Sequence, residues 1–240
     1  MRSTTNLAWP ITPFGAGQRP FGKNRPMTAA IAVGWADFVQ RPIWACAVYL
    51  TTDSTRTLSL DGRQLNFGFE VLTRQDPEPP TVIVQRLDNI LVACRRQAKV
   101  LAGHKLDADL ARLAAFATER RLPGVDTVRQ LWTDRASKGR GLARMFDTAH
   151  DLGRPDTTDL AEACDHAALK VATVADPDGS TTSTTVRQAL TRTLAIALIA
   201  ARAAGKYDWT APVDLDELVT DAAWDQLDQL DNDPSDAGAP

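Results

Sequence analysis

The chain has 240 residues, 44% hydrophobic and 24% charged, enough for one sizeable core with an appendage. No apolar run reaches the ~18 residues a membrane span needs, and the longest, 190–204, is broken by Arg192 and Arg202. Cys46, Cys94 and Cys164 are odd in number, widely spaced and set among apolar neighbours. That argues against a disulfide framework or zinc site and for reduced core thiols in a cytoplasmic protein.

The net charge of −3 conceals a polarity. Residues 212–240 carry nine of the 30 acids and no base, so 27 bases face 21 acids over positions 1–211. A basic body with an acidic tail suits nucleic-acid binding, with the tail competing for the same surface. Solubility alone accounts for it equally well.

Residues 1–27 hold Arg2, Arg19, Lys23 and Arg25, four prolines, three glycines and no acid. They read as a basic arm, poorly ordered by itself. Residues 28–209 read as the main domain, and 210–240 as an acidic helix and tail. Within the domain, Ala29–Val33 and Ile43–Leu50 are buried strands. Arg56–Leu60 and Leu65–Val71 alternate as two more, with Asp61-Gly62 as a turn. A β-meander therefore comes first.

Thr81–Gln97 has helical spacing at Ile83, Val84, Leu87, Ile90, Leu91 and Cys94, with Thr81 as N-cap. Lys99–Ala102 is a strand ending at Gly103, and Asp107–Arg121 a helix. Val125–Leu131 is expected to be a strand and Leu142–Leu152 a short helix. Asp159–Val174 is expected to be a helix with Thr158 or Asp159 as N-cap. Residues 176–185 form a polar loop. Val186–Ala204 is the strongest helix, ended by Gly205. Leu215–Leu230 is an acidic helix with Leu215, Leu218, Val219, Trp224, Leu227 and Leu230 as its apolar set, and 232–240 should fray. The predicted class is α/β: a mixed sheet, meander first, flanked by helices, plus the acidic C-terminal helix.

Phosphate-loop, dinucleotide-loop, Cys-x-x-Cys, His-Glu-x-x-His and nucleophile-elbow motifs do not occur. What remains is an ordered pair. Gly103-His104-Lys105 follows a strand, with Asp109 one helical turn on, and His166-Ala167-Ala168-Leu169 comes later on a predicted helix. This order resembles the ribonuclease H-like 3′–5′ exonuclease superfamily, in its branch with a catalytic histidine (DEDDh). The resemblance covers roughly residues 28–204.

In that family four carboxylates hold two divalent metals that activate water for phosphodiester hydrolysis. The resemblance implies a metal ligand at Asp109 and a catalytic histidine at His166. It also exposes losses. The family's Asp-x-Glu falls on Gly34-Trp35-Ala36, its Asn on Lys105 and its late aspartate on Val171. Asp126-Thr127 resembles a strand-opening Asp-Thr common in the family. Asp37 lies one residue past the missing glutamate, on the wrong face of a regular strand unless a bulge re-aims it. One carboxylate cannot hold a metal pair about 4 Å apart.

Three functions follow as expectations. The first is a degenerate, inactive exonuclease-like protein that binds nucleic acid at a single-stranded 3′ end, without a cofactor. The second is an active exonuclease using Mg²⁺ or Mn²⁺ on relocated ligands such as Asp37 and Asp109. The third is a scaffold with residues 215–230 as its docking element. Trp35 is a candidate for stacking a base, or for simple core packing. Arg95, Arg96, Lys99, Lys105, Lys138, Arg140 and Arg144 are candidates for tracking phosphates, or form a solvated face. Asp109 also reads as an ordinary acid near a helix N-terminus, His166 as a histidine packed at the sheet edge, and His104 as a turn residue.

Overall fold

The computed structural model describes residues 1–7, 26–36, 41–61, 65–75, 77–117, 121–135, 142–152, 159–172 and 182–232. In chain order its elements are β1 (Arg2–Thr5), β2 (Met27–Ala36), β3 (Arg41–Thr51), β4 (Leu58–Ser59), β5 (Phe67–Thr73), α1 (Thr81–Gln97), β6 (Val100–Gly103), α2 (Leu106–Ala114), α3 (Pro123–Thr133), β7 (Arg144–Asp147), α4 (Leu160–His166), β8 (Leu169–Lys170), α5 (Thr182–Ala203), β9 (Tyr207–Asp208), β10 (Val213–Asp214) and α6 (Leu215–Asp231).

Six strands form one mixed sheet in the order β1-β5-β3-β2-β6-β7. β2, β3 and β5 are the expected antiparallel meander. β6 runs parallel to β2, and β7 parallel to β6. β2 and β5 read as almost unbroken small and apolar residues because helices cover both faces. On one face α1, α2 and α3 bury Leu87, Leu91, Leu110 and Val128 against Ile31 and Tyr49. On the other, α5 buries Leu190, Leu194 and Ala197 against Val48 and Phe69, with α4 and α6 packed outside it. No helix of the described residues is long and apolar enough to cross a membrane.

Several elements differ from the sequence expectation. Residues 2–5 of the basic arm are a strand, paired with β5 from Arg2↔Thr73 to Thr5↔Glu70. Residues 8–25 lie outside the described residues. β4 leaves the meander and pairs with β9. Thr81 makes no side-chain cap; α1 simply starts after Pro80.

Val125–Leu131 belongs to helix α3, not to a strand. Its start is fixed from far away: Asp88 of α1 accepts the Val125 N–H at 2.8 Å. A Cβ on Gly124 would lie 2.2 Å from the Asp88 carbonyl oxygen, so only glycine lets the two helices meet. Residues 144–147 of the expected helix 142–152 are strand β7, because Met145 and Phe146 pair with Leu101 and Ala102. The helix expected over 159–174 stops at His166, since Ala168 takes a left-handed φ of 53° that an α-helix cannot continue. Its cap is Asp159, accepting the Ala161 N–H at 3.0 Å.

α6 docks on α5 through Leu215, Val219, Ala223, Leu227 and Leu230. Trp224 was expected on that face; it stands 62% exposed instead. α6 turns 100° per residue, and Ala223 rather than Trp224 falls on the inward stripe.

One charged pair is built into the sheet. Glu70 is fully buried, and its Oε1 accepts Arg86 Nε at 2.8 Å and Nη2 at 2.7 Å. The Ser3 hydroxyl of β1 donates to the same oxygen at 3.3 Å.

Candidate functional site

β6 and β7 end side by side at Gly103 and Asp147, and β2 runs on past them to Ala36. β2 has an antiparallel neighbour on one side and a parallel one on the other. Ligands of open α/β sheets bind beyond the carboxyl ends of such strands, where the winding reverses.

The turn after β6 is held tightly. A Cβ on Gly103 would lie 2.6 Å from Leu106 Cβ and 3.1 Å from the Trp132 ring. Lys105 is left-handed, with φ 53°. Its N–H donates to Asp147 Oδ1 at 3.1 Å, and the Ala149 N–H donates to the same oxygen at 3.0 Å. His104 Nδ1 lies 3.0 Å from the Thr148 hydroxyl, which donates to Gly103 O at 3.2 Å. His104 therefore ties the ends of β6 and β7 together.

α2 carries Asp109 in its first turns, half-buried beside β2. Trp35 Nε1 donates to Asp109 Oδ1 at 2.8 Å. The Arg112 guanidinium, one turn further along α2, lies 5.4 Å from the Trp35 ring centroid. The ring is thus fixed at its edge by a charge-assisted hydrogen bond and accompanied by a cation. Arg112 was not among the sequence candidates; its i+3 spacing from Asp109 was the available signal.

A two-metal centre does not fit these residues. The first missing acid would stand at Gly34, and a Cβ there would lie 1.9 Å from Trp44 Nε1 and 2.1 Å from Trp44 Cε2. The indole of β3 fills the space a carboxylate would need. Ala36 offers no ligand atom, and Val171 packs against the α5 side of the core. Asp109 is engaged by Trp35. Among the described residues no group of three His, Cys, Asp or Glu side chains is arranged to hold a metal. Asp37 lies outside the described residues. Trp44 was missed from sequence, although a glycine inside a strand signals a close approach by something large.

His166 does not join Asp109. It is the exposed last residue of α4, on the face of the sheet opposite α2. The His-x-Ala-Leu pattern runs across a helix end, a left-handed turn and β8, so it does not sit on one helix. Asp126-Thr127 is in the first turn of α3 rather than at a strand. The Asp-Thr that follows a strand is Asp147-Thr148, both fully buried.

The basic candidates divide into two groups. Arg95, Arg96 and Lys99 lie at the start of β6, next to Arg144, whose N–H donates to Lys99 O at 2.9 Å. Burial, aided by Arg96, lowers the pKa of Arg95 below the usual arginine value. Lys105 lies beyond the other end of β6, so the four-residue strand separates it from Lys99. Lys138 and Arg140 lie outside the described residues.

The three cysteines are buried and free, with burial the main cause that pushes each thiol up to about 12. None is a nucleophile at neutral pH. Comparison with family models, with curated proteins and with solved structures finds no match to this chain.

Proposed function

We propose that this chain is a ribonuclease H-like domain that has lost its hydrolytic centre and binds single-stranded nucleic acid without cutting it. The observation that carries the reading is Trp35. At the carboxyl end of β2, between the two positions where the family resemblance expects acids, an indole is held by Asp109 with Arg112 nearby. An aromatic face beside a cation suits a stacked base next to its phosphate. The strand order supports the ribonuclease H-like assignment: a three-stranded meander, then two parallel strands on the far side of its first strand. The filled Gly34 position supports the loss of catalysis. Buried reduced thiols agree with a cytoplasmic setting.

The test is anisotropy of a labelled single-stranded oligonucleotide across a salt series. Trp35→Ala should weaken binding by about 1–3 kcal/mol, and Trp35→Phe by less, because a ring remains. Affinity should fall steeply with salt. An unchanged affinity in Trp35→Ala sinks the reading. Metal-dependent turnover abolished by Asp109→Ala would replace it with an active exonuclease.

A second reading, a protein-docking role for α6, is favoured by exposed Trp224 beside Asp221, Asp225 and Asp228. Trp224→Ser serves as the control in the same assay. Under the first reading it leaves oligonucleotide binding unchanged.

A further inference from the structure

A cleft of about 480 Å³ opens along the free edge of β7, between that strand, α4 and the carboxyl end of α5. It is away from Trp35, on the α5 side of the sheet. Half-buried Leu152 and the edges of Phe146 and Ile199 supply its apolar lining. Its polar lining includes Arg144, His166 and Arg202.

The three side chains differ in how they are held. Arg202 is pinned. It donates to Ala167 O at 2.9 Å and Trp209 O at 3.1 Å, pairs with Asp208 at 3.1 Å and lies 4.3 Å from the Trp209 ring centroid. Arg144 rests over Phe146 at 5.7 Å, and its guanidinium has no carboxylate partner among the described residues. The His166 ring likewise has no hydrogen-bond partner among them. The one acid in the lining, Asp151, is already committed: it accepts the Asp147 N–H at 2.8 Å and pairs with Arg135 at 3.2 Å. Among the described residues, Arg144 and His166 are therefore the two donors left to be used.

The volume falls in the range of small-ligand sites, roughly 300–1,000 Å³. A bare inorganic anion would fill only a small part of that volume. A neutral ring would leave the Arg144 and His166 donors without a partner. We infer that the cleft takes a nucleoside monophosphate: a flat ring against the apolar lining and the Arg144 guanidinium, and a phosphate bound by Arg144 and His166 in the field of Arg202. Guanidinium planes that stack on rings and fork to phosphate are suited to both tasks. This site is independent of the Trp35 platform.

Calorimetric titration of the full chain with adenosine 5′-monophosphate, adenosine and inorganic phosphate tests it. The monophosphate should bind at least about tenfold more tightly than either fragment. Arg144→Ala and His166→Ala, both at exposed positions, should each weaken it about tenfold or more, the scale of one hydrogen bond to a charged group. Trp35→Ala should leave it unchanged. Phosphate binding as tightly as the monophosphate, adenosine doing so, no saturation by the monophosphate, or unchanged binding in Arg144→Ala each overturns the assignment. Loss of monophosphate binding in Trp35→Ala also overturns it, because the ligand then sits at the other site.

Discussion

Arg86→Ala should lower the free energy of unfolding by about 3–5 kcal/mol, the usual cost of leaving one member of a buried ion pair alone. Glu70 has no exposed surface and takes two of its hydrogen bonds from Arg86. Removing the guanidinium leaves a carboxylate in the middle of β5, with the Ser3 hydroxyl still donating to it at 3.3 Å. Whole domains have only about 5–15 kcal/mol to lose, so the variant should be visibly fragile in a urea titration. Replacing both residues, Glu70→Leu with Arg86→Met, removes the uncompensated charge and should be close to neutral, or even stabilising. The contrast is the real test. If the single variant unfolds within about 1 kcal/mol of the parent, the pair is solvated and the argument fails.

The second large effect is at Gly34. Gly34→Asp forces a side chain into the Trp44 indole, and overpacking of this kind costs about 1–3 kcal/mol and sometimes more. Trp44→Ala alone opens a cavity worth about 3–5 kcal/mol. Together the two changes should cost less than their sum, since each relieves the other. A double-mutant cycle from urea titrations measures that coupling, expected at about 0.5–3 kcal/mol for residues in contact. Additive costs would mean the indole turns aside freely, and then the acid position is not blocked. Restoring acids at positions 34 and 36 without trimming Trp44 should yield no metal-dependent nuclease activity.

Much of the fold was legible because its periodic signals were local. α1 keeps the bounds of its apolar repeat, Thr81–Gln97. The meander follows from alternating strands around short turns. The failures have one cause: information supplied from elsewhere in the chain. α3 begins where Asp88, 37 residues away, caps it. β7 is a strand because β6 lies beside it, although its four residues alone suit a helix equally. β1 was invisible because Arg-Ser-Thr-Thr has no hydrophobic period and becomes a strand by pairing with β5.

The candidate site was legible only in part. Sequence placed Trp35 and Asp109 among the candidates, yet could not join them across 74 positions. It associated His166 with Asp109 through a motif that the left-handed turn at Ala168 breaks. Side-chain identity carries over to the folded chain; which face of a sheet it ends on depends on every turn before it.

β1 has a consequence for the integrity of the sheet in crowded solution. β5 is buried along its whole length, Phe67 to Thr73, and two of its side chains are phenylalanines. One of its backbone edges is occupied by β3 and the other by β1. Strip residues 1–7 away and that second edge becomes a row of unpaired amides flanked by aromatic and aliphatic side chains, a template onto which another copy can add. The polar Arg-Ser-Thr-Thr strand thus acts as a guard against self-assembly, and a truncation intended to tidy the amino end would leave a sticky edge in its place.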